Sequence, residues 1–152
     1  MKFPYILVAF AANIASAQQK LSQAEAQSRL QAAGISSVST GGCTNRNTAT
    51  CTSYDQVNAA TVAGAITLKN ACGCTVTISG GTETGHASGT YSHWNGYKFD
   101  FRKNSGLNSY VTNTFTKIAD RGDGYPQWKA ASGNIYCDEG NHWDVTFFTD
   151  GN

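Results

Sequence analysis

Thr75-Val76-Thr77-Ile78-Ser79-Gly80-Gly81 is the stretch on which the fold class turns. Val76 and Ile78 fall on one face and the three hydroxyl residues on the other. That is the period of two of a half-buried strand, and the glycine pair carries it into a loop. Upstream the spacing is helical. Ser22 stands as an N-cap with Glu25 three residues on, Ala26, Leu30 and Ala33 form an apolar stripe, and Gly34 stops the helix. A second helix is expected over residues 54–69, where Val57, Ala60, Thr61, Gly64, Ala65 and Leu68 recur at helical spacing. Downstream, residues 96–102 alternate again, and 127–131, 134–137 and 142–148 read as short strands between Gly and Asp turns. Residues 108–117 fit a helix and a strand equally. Two helices followed by a small, mostly antiparallel sheet predict an α+β fold.

Composition narrows the class further. The chain has 152 residues, 14% charged, with 16 Gly and only 2 Pro, which excludes collagen-like, coiled-coil and disordered chains. A net charge of +1 with no local basic patch gives no field that would gather phosphates, so no nucleic-acid partner is expected. Three Trp, seven Tyr and seven Phe in a Thr/Ser/Asn/Gly-rich background suit a secreted protein acting on a neutral polymer. Residues 1–17 read as a signal peptide. Lys2 precedes an apolar run broken only by Asn13, and Ala15-Ser16-Ala17 gives the small-x-small cleavage pattern. The run is shorter than the roughly 20 residues needed to cross a bilayer. A soluble, secreted, monomeric domain over 18–152, with no membrane partner, follows as the expectation.

Export makes the five cysteines disulfide candidates. Cys43 and Cys51 flank a polar loop and are natural partners. Cys72 and Cys74 would close a strained ring with each other. Cys74, beside one strand, is therefore expected to pair with Cys137 at the end of another, leaving Cys72 single.

The chemistry-bearing residues gather in two segments. His93-Trp94-Asn95-Gly96-Tyr97-Lys98-Phe99-Asp100 places an imidazole and a carboxylate seven apart, and Glu139-Gly140-Asn141-His142 places another such pair three apart. Two histidines and a carboxylate make a three-ligand zinc set with a fourth position open for water, and a further carboxylate can take that water's proton. An offset of three along a strand would put Glu139 and His142 on opposite faces. A turn at Gly140-Asn141 is needed to bring both inward.

Residues 75–100 resemble the zinc D,D-carboxypeptidase superfamily, which includes the hedgehog amino-terminal domain. Its strand and Ser-Gly loop, Ser-x-His-x-x-Gly-x-Ala-x-Asp and Glu-x-Trp-His correspond here to Ser79-Gly80, to Ser92 through Asp100, and to Glu139 through His142. The resemblance implies that fold, zinc ligands His93, Asp100 and His142, and Glu139 as general base. The chain departs from the pattern in three ways. Gly81-Thr82-Glu83-Thr84-Gly85-His86 stands where the peptidases carry an oxyanion-binding arginine, Lys98 stands where they have a small residue, and Asn141-His142-Trp143 replaces their Trp-His.

The longer string from Gly80 to Phe101, with Glu139 to Phe147, is similar to the catalytic domain of small secreted fungal muramidases, lysozymes that cleave bacterial peptidoglycan. That resemblance gives Glu83 the role of general acid, with Asp100 or Glu139 as the second carboxylate. His86, Tyr91, Trp94 and Tyr97 then suit contact with sugar faces, and Trp143 suits the core. Muramidase action on peptidoglycan is the first expectation. Zinc-dependent cleavage of its stem peptides is the second, and a non-catalytic secreted binding or effector domain is the third.

Overall fold

The computed structural model describes Pro4 and residues 18–152. The expected signal peptide, Pro4 apart, lies outside the described residues. The chain enters as β1 (Lys20–Leu21) and α1 (Gln23–Ala32). Ser22 Oγ accepts the Glu25 N–H at 3.2 Å, and Glu25 Oε2 accepts the Ser22 N–H at 3.3 Å. This reciprocal pair satisfies two donors that the helix start leaves free. Gly34, at φ +78°, turns the chain away as its position predicts. Ala26 and Leu30 are buried, while Ala33 is only partly covered.

After β2 (Ser36–Ser37), a loop stapled by the Cys43–Cys51 disulfide leads to β3 (Val57–Asn58), which pairs antiparallel with β1. That ribbon delays the second helix relative to its apolar spacing. Gln56 sits in the left-handed region at φ 66° and donates its N–H to Leu21 O at 2.9 Å. Residues 54–58 therefore bury their apolar side chains from extended and turn backbone. α2 (Ala59–Cys72) follows Asn58 and ends at Gly73, φ 57°.

Gly73 also corrects the cysteine reading. The left-handed turn it permits brings the neighbouring cysteine Cα atoms to 5.1 Å, and Cys72–Cys74 is a disulfide. Cys137 is free and buried, and no Cys74–Cys137 bridge exists. Loop-closure entropy scales with the length closed, so replacing both members of Cys72–Cys74 by Ser should cost about 1.6 kcal/mol and both of Cys43–Cys51 about 2.6 kcal/mol. Denaturant titration of the two variants checks the order, and a larger loss from the shorter loop would contradict it. Burial pushes the Cys137 thiol up to about 11, against the pull of Arg121. A thiol reagent at pH 8 should label it only after unfolding.

The remaining elements are β4 (Thr77–Gly80), β5 (Lys98–Arg102), α3 (Ser105–Thr114), β6 (Thr116–Ile118), β7 (Gln127–Lys129), β8 (Ile135–Asp138) and β9 (His142–Thr146). Residues 108–117 thus supply both a helix and a strand. Asn104 caps α3 by accepting the Leu107 N–H at 2.9 Å, and this third helix adds to the two expected. Seven strands run in the order β2-β4-β5-β9-β8-β7-β6, antiparallel except for β2 beside β4. The fold is α+β.

Strand alternation decides what each face carries. Phe99 and Phe101 on β5, Trp143 and Val145 on β9, and Phe147 beyond are all buried on one side. There α3 contributes Asn108, whose Oδ1 accepts the Trp143 indole N–H at 2.8 Å. α2 reaches the same side through Gly64, where an added Cβ would stand 2.4 Å from Phe147 Cδ1. Gly64→Ala should therefore overpack a rigid ring and cost roughly 1–3 kcal/mol in denaturant unfolding. Asp100 and Asp144 are directly opposite each other across β5 and β9, and alternation turns both to the other face.

Candidate functional site

That second face floors an open cleft of about 340 Å³ containing all three histidines of the chain. Asp100 and Asp144 are 7% and 5% exposed. Close approach by Asp100 depends on Gly80 of the opening motif, and that of the Ser53 carbonyl on Gly81. A Cβ at Gly80 would lie 2.4 Å from Asp100 Oδ2, and one at Gly81 would lie 2.0 Å from Ser53 O. The register shift between Ile78 and Gly80 occurs at the same point.

His93 comes from the loop before β5. Its Nδ1 lies 2.9 Å from Gly81 O, which fixes Nδ1 as the donor in that contact. Nε2 lies 3.3 Å from Asp100 Oδ1 and 3.4 Å from Asp144 Oδ1. Both contacts fall outside hydrogen-bond geometry, and both oxygens are buried without a hydrogen-bond partner. Burial opposes a charge on His93, but the two carboxylates outweigh it and push the imidazole up to about 10. Asp144 Oδ2 accepts from Lys98 Nζ and Arg121 Nη1, each at 2.8 Å. Against its burial, His93 and Lys98 hold the Asp144 carboxyl well below the usual carboxylate range.

His86 stacks on His93, with ring centroids 3.7 Å apart. Its Nε2 lies 2.5 Å from Glu83 Oε2, and its Nδ1 lies 3.9 Å from Asp100 Oδ2. Glu83 is 2% exposed, and its Oε1 accepts the N–H groups of Ser53 and Gly81 at 2.8 and 2.9 Å. Glu83 therefore reaches the cleft only through His86.

The β8–β9 turn supplies the bend that sequence spacing required. Gly140, at φ 91°, brings Glu139 and His142 to one side. His142 Nε2 lies 3.2 Å from Glu139 Oε2 and 3.7 Å from Asp100 Oδ1. Arg121, from the loop between β6 and β7, donates Nη2 to Glu139 Oε1 at 2.9 Å and also binds Asp123. These carboxylates, Asp123 first, raise its already high affinity for the proton.

Two members of the expected ligand set, His93 and Asp100, meet in the floor. The ligand atoms of His86, His93 and Asp100 lie within 4.8 Å of one another, a group of the type that can hold a metal ion. His142 stands beside Asp100 but outside that group. Asp100 Oδ1 and Asp144 Oδ1, both buried without a hydrogen-bond partner, face His93 Nε2 together, a concentration of donor atoms that suits a cation.

Of the expected sugar contacts, Tyr91 is 50% exposed and packs edge-on against Tyr97 and Phe148. Trp94 is 42% exposed and carries the Arg46 guanidinium on one face at 3.5 Å. Trp94, Ser92 and His86 line a second hollow of about 270 Å³ bordered by Glu83, so His86 is shared with the main cleft. Trp143 is in the core, as read. Asp144 and Arg121 were missed. Asp144 carried a signal, being two residues from His142 on an alternating strand. Arg121 carried none, because only the loop's path brings it in.

Among the described residues no helix is long and apolar enough to cross a membrane. No family model, curated protein or solved structure matches the chain.

Proposed function

We propose that this chain is a secreted muramidase, a hydrolase that cleaves the glycan strand of bacterial peptidoglycan on a D,D-carboxypeptidase-like scaffold. The observation that carries the reading is the pairing of Asp100 with Glu139. Both approach His142 Nε2, at 3.7 and 3.2 Å. Their facing oxygens are thus no more than about 7 Å apart, a bound that admits the roughly 5–5.5 Å carboxyl separation of retaining glycosidases. One carboxyl gives a proton to the leaving sugar oxygen while the other activates water or stabilises the oxocarbenium charge.

Arg121 on Glu139 Oε1 suits Glu139 to the second role, and Asp100, 3.3 Å from His93 Nε2, is left to relay a proton from that imidazole to the leaving oxygen. Glu83, enclosed by backbone N–H groups, positions His86. Trp94 and Tyr91 offer exposed aromatic surface for sugar faces.

A second reading, zinc-dependent cleavage of the stem peptides, is favoured by the His86, His93 and Asp100 group and by Arg121, a guanidinium that enters the cleft from a segment outside the family motif. His86, His93 and Asp100 would hold the ion, which supplies Lewis-acid polarisation and a water of lowered pKa when bound. Digestion of purified peptidoglycan with and without chelator tests both. New reducing sugar ends in the presence of chelator are the expected result. Free D-alanine or stem-peptide amines, lost with chelator, would replace the muramidase with the peptidase, and no product at all would leave a binding domain.

A further inference from the structure

We infer that the cleft floor is an inhibitory transition-metal site: His86 Nδ1, His93 Nε2 and Asp100, with Asp144 Oδ1 adjacent, capture a zinc-class cation that removes Asp100 from the hydrolytic pair. The inhibitory half of this inference rests on the muramidase reading, and the binding half does not. The donors are two imidazoles and two carboxylates, a set that favours zinc or copper over magnesium or calcium.

Spacing supports the set. Ligand atoms about 2.0–2.1 Å from a tetrahedral zinc stand roughly 3.4 Å from each other. His93 Nε2 lies 3.3 Å from Asp100 Oδ1 and 3.4 Å from Asp144 Oδ1. Neither oxygen has a hydrogen-bond partner, although both residues are more than nine-tenths buried.

Each imidazole also has its outer nitrogen fixed. His93 Nδ1 is held by Gly81 O and His86 Nε2 by Glu83 Oε2, so the nitrogens turned toward Asp100 are His93 Nε2 and His86 Nδ1. A carboxylate or carbonyl behind each ligating histidine is the support that metal sites use to set tautomer and ring direction. This gives buried Glu83 a purpose that proton donation to a sugar does not. His142 stands outside the group, its Nε2 3.2 Å from Glu139 Oε2 and 3.7 Å from Asp100 Oδ1.

Calorimetric titration of the full chain with Zn²⁺, and the visible spectrum with Co²⁺, read binding without reference to activity. One ion per chain is expected, with affinity at least 100-fold lower in His86→Ala, 10- to 100-fold lower in Glu83→Gln and within a few-fold of wild type in His142→Ala. His86 is partly exposed, so His86→Ala should fold, and circular dichroism verifies that it has. Absence of binding, or binding lost in His142→Ala but kept in His86→Ala, would overturn the site.

Glycan cleavage should fall as Zn²⁺ saturates the site and recover with chelator, and whatever activity His86→Ala keeps should resist Zn²⁺. Cleavage indifferent to Zn²⁺, or abolished by chelator, would overturn inhibition. A chain that binds Zn²⁺ through His86 yet releases no reducing ends would sink the muramidase reading and the inhibition built on it, leaving the metal site standing.

Discussion

Glu139→Gln is expected to lower the release of reducing sugar ends by roughly 10²- to 10⁴-fold, the usual worth of a positioned acid or base. The substitution keeps the side chain's size and its acceptor for Arg121 Nη2, now 2.9 Å from Glu139 Oε1, but removes the charge that the proposed muramidase action uses to activate water or face an oxocarbenium ion. Glu139 sits partly exposed at the cleft wall beside a glycine turn, so the fold should survive. Circular dichroism and the unfolding midpoint should be near wild type while initial rates collapse. Rates within about threefold of wild type would remove Glu139 from the mechanism, and Asp100→Asn should then be the decisive variant.

Asp144→Ala is expected to cost about 3–5 kcal/mol, the largest loss of stability for any single polar side chain of the cleft. Asp144, itself buried, is the common partner of the partly exposed Lys98 and Arg121 at 2.8 Å and faces the buried His93 at 3.4 Å. Its removal leaves two cationic side chains without their shared acceptor and His93 with Asp100 as its only close carboxylate. Asp144→Asn, which keeps one oxygen, should lose less. Asp120→Ala serves as the contrast. Its pair with Lys117, at 3.0 Å, is about half exposed on both sides and screened, and little change is expected. Equal midpoint shifts for Asp144→Ala and Asp120→Ala in denaturant titration would refute the account.

Much of the scaffold was legible because its signals are local. The Ser22-Glu25 box, the Gly34 stop, the Val76-Ile78 alternation and the Gly140-Asn141 turn each depend on neighbours in sequence, and each stands where its residues indicate. The second helix was misplaced at its start because apolar spacing reports burial rather than backbone. Residues 54–58 are buried through the β1–β3 ribbon, and no local pattern announces a pairing between residues 20 and 58. The cysteine pairing failed for a related reason. Ring strain between Cys72 and Cys74 was weighed without the left-handed turn that Gly73 makes available.

By itself, then, the sequence brought out two segments in which imidazole and carboxylate fall close together: His93 with Asp100, and Glu139 with His142. Tertiary structure alone decided their company. Register between β5 and β9 sets Asp144 opposite Asp100, the glycine pair at 80–81 lets the backbone approach closely enough to hold Glu83 and His93, and the β6–β7 loop delivers Arg121. Such contacts span tens of residues and form only when the sheet closes. The choice of His86 over His142 as the neighbour of His93 was therefore fixed by packing and not by spacing.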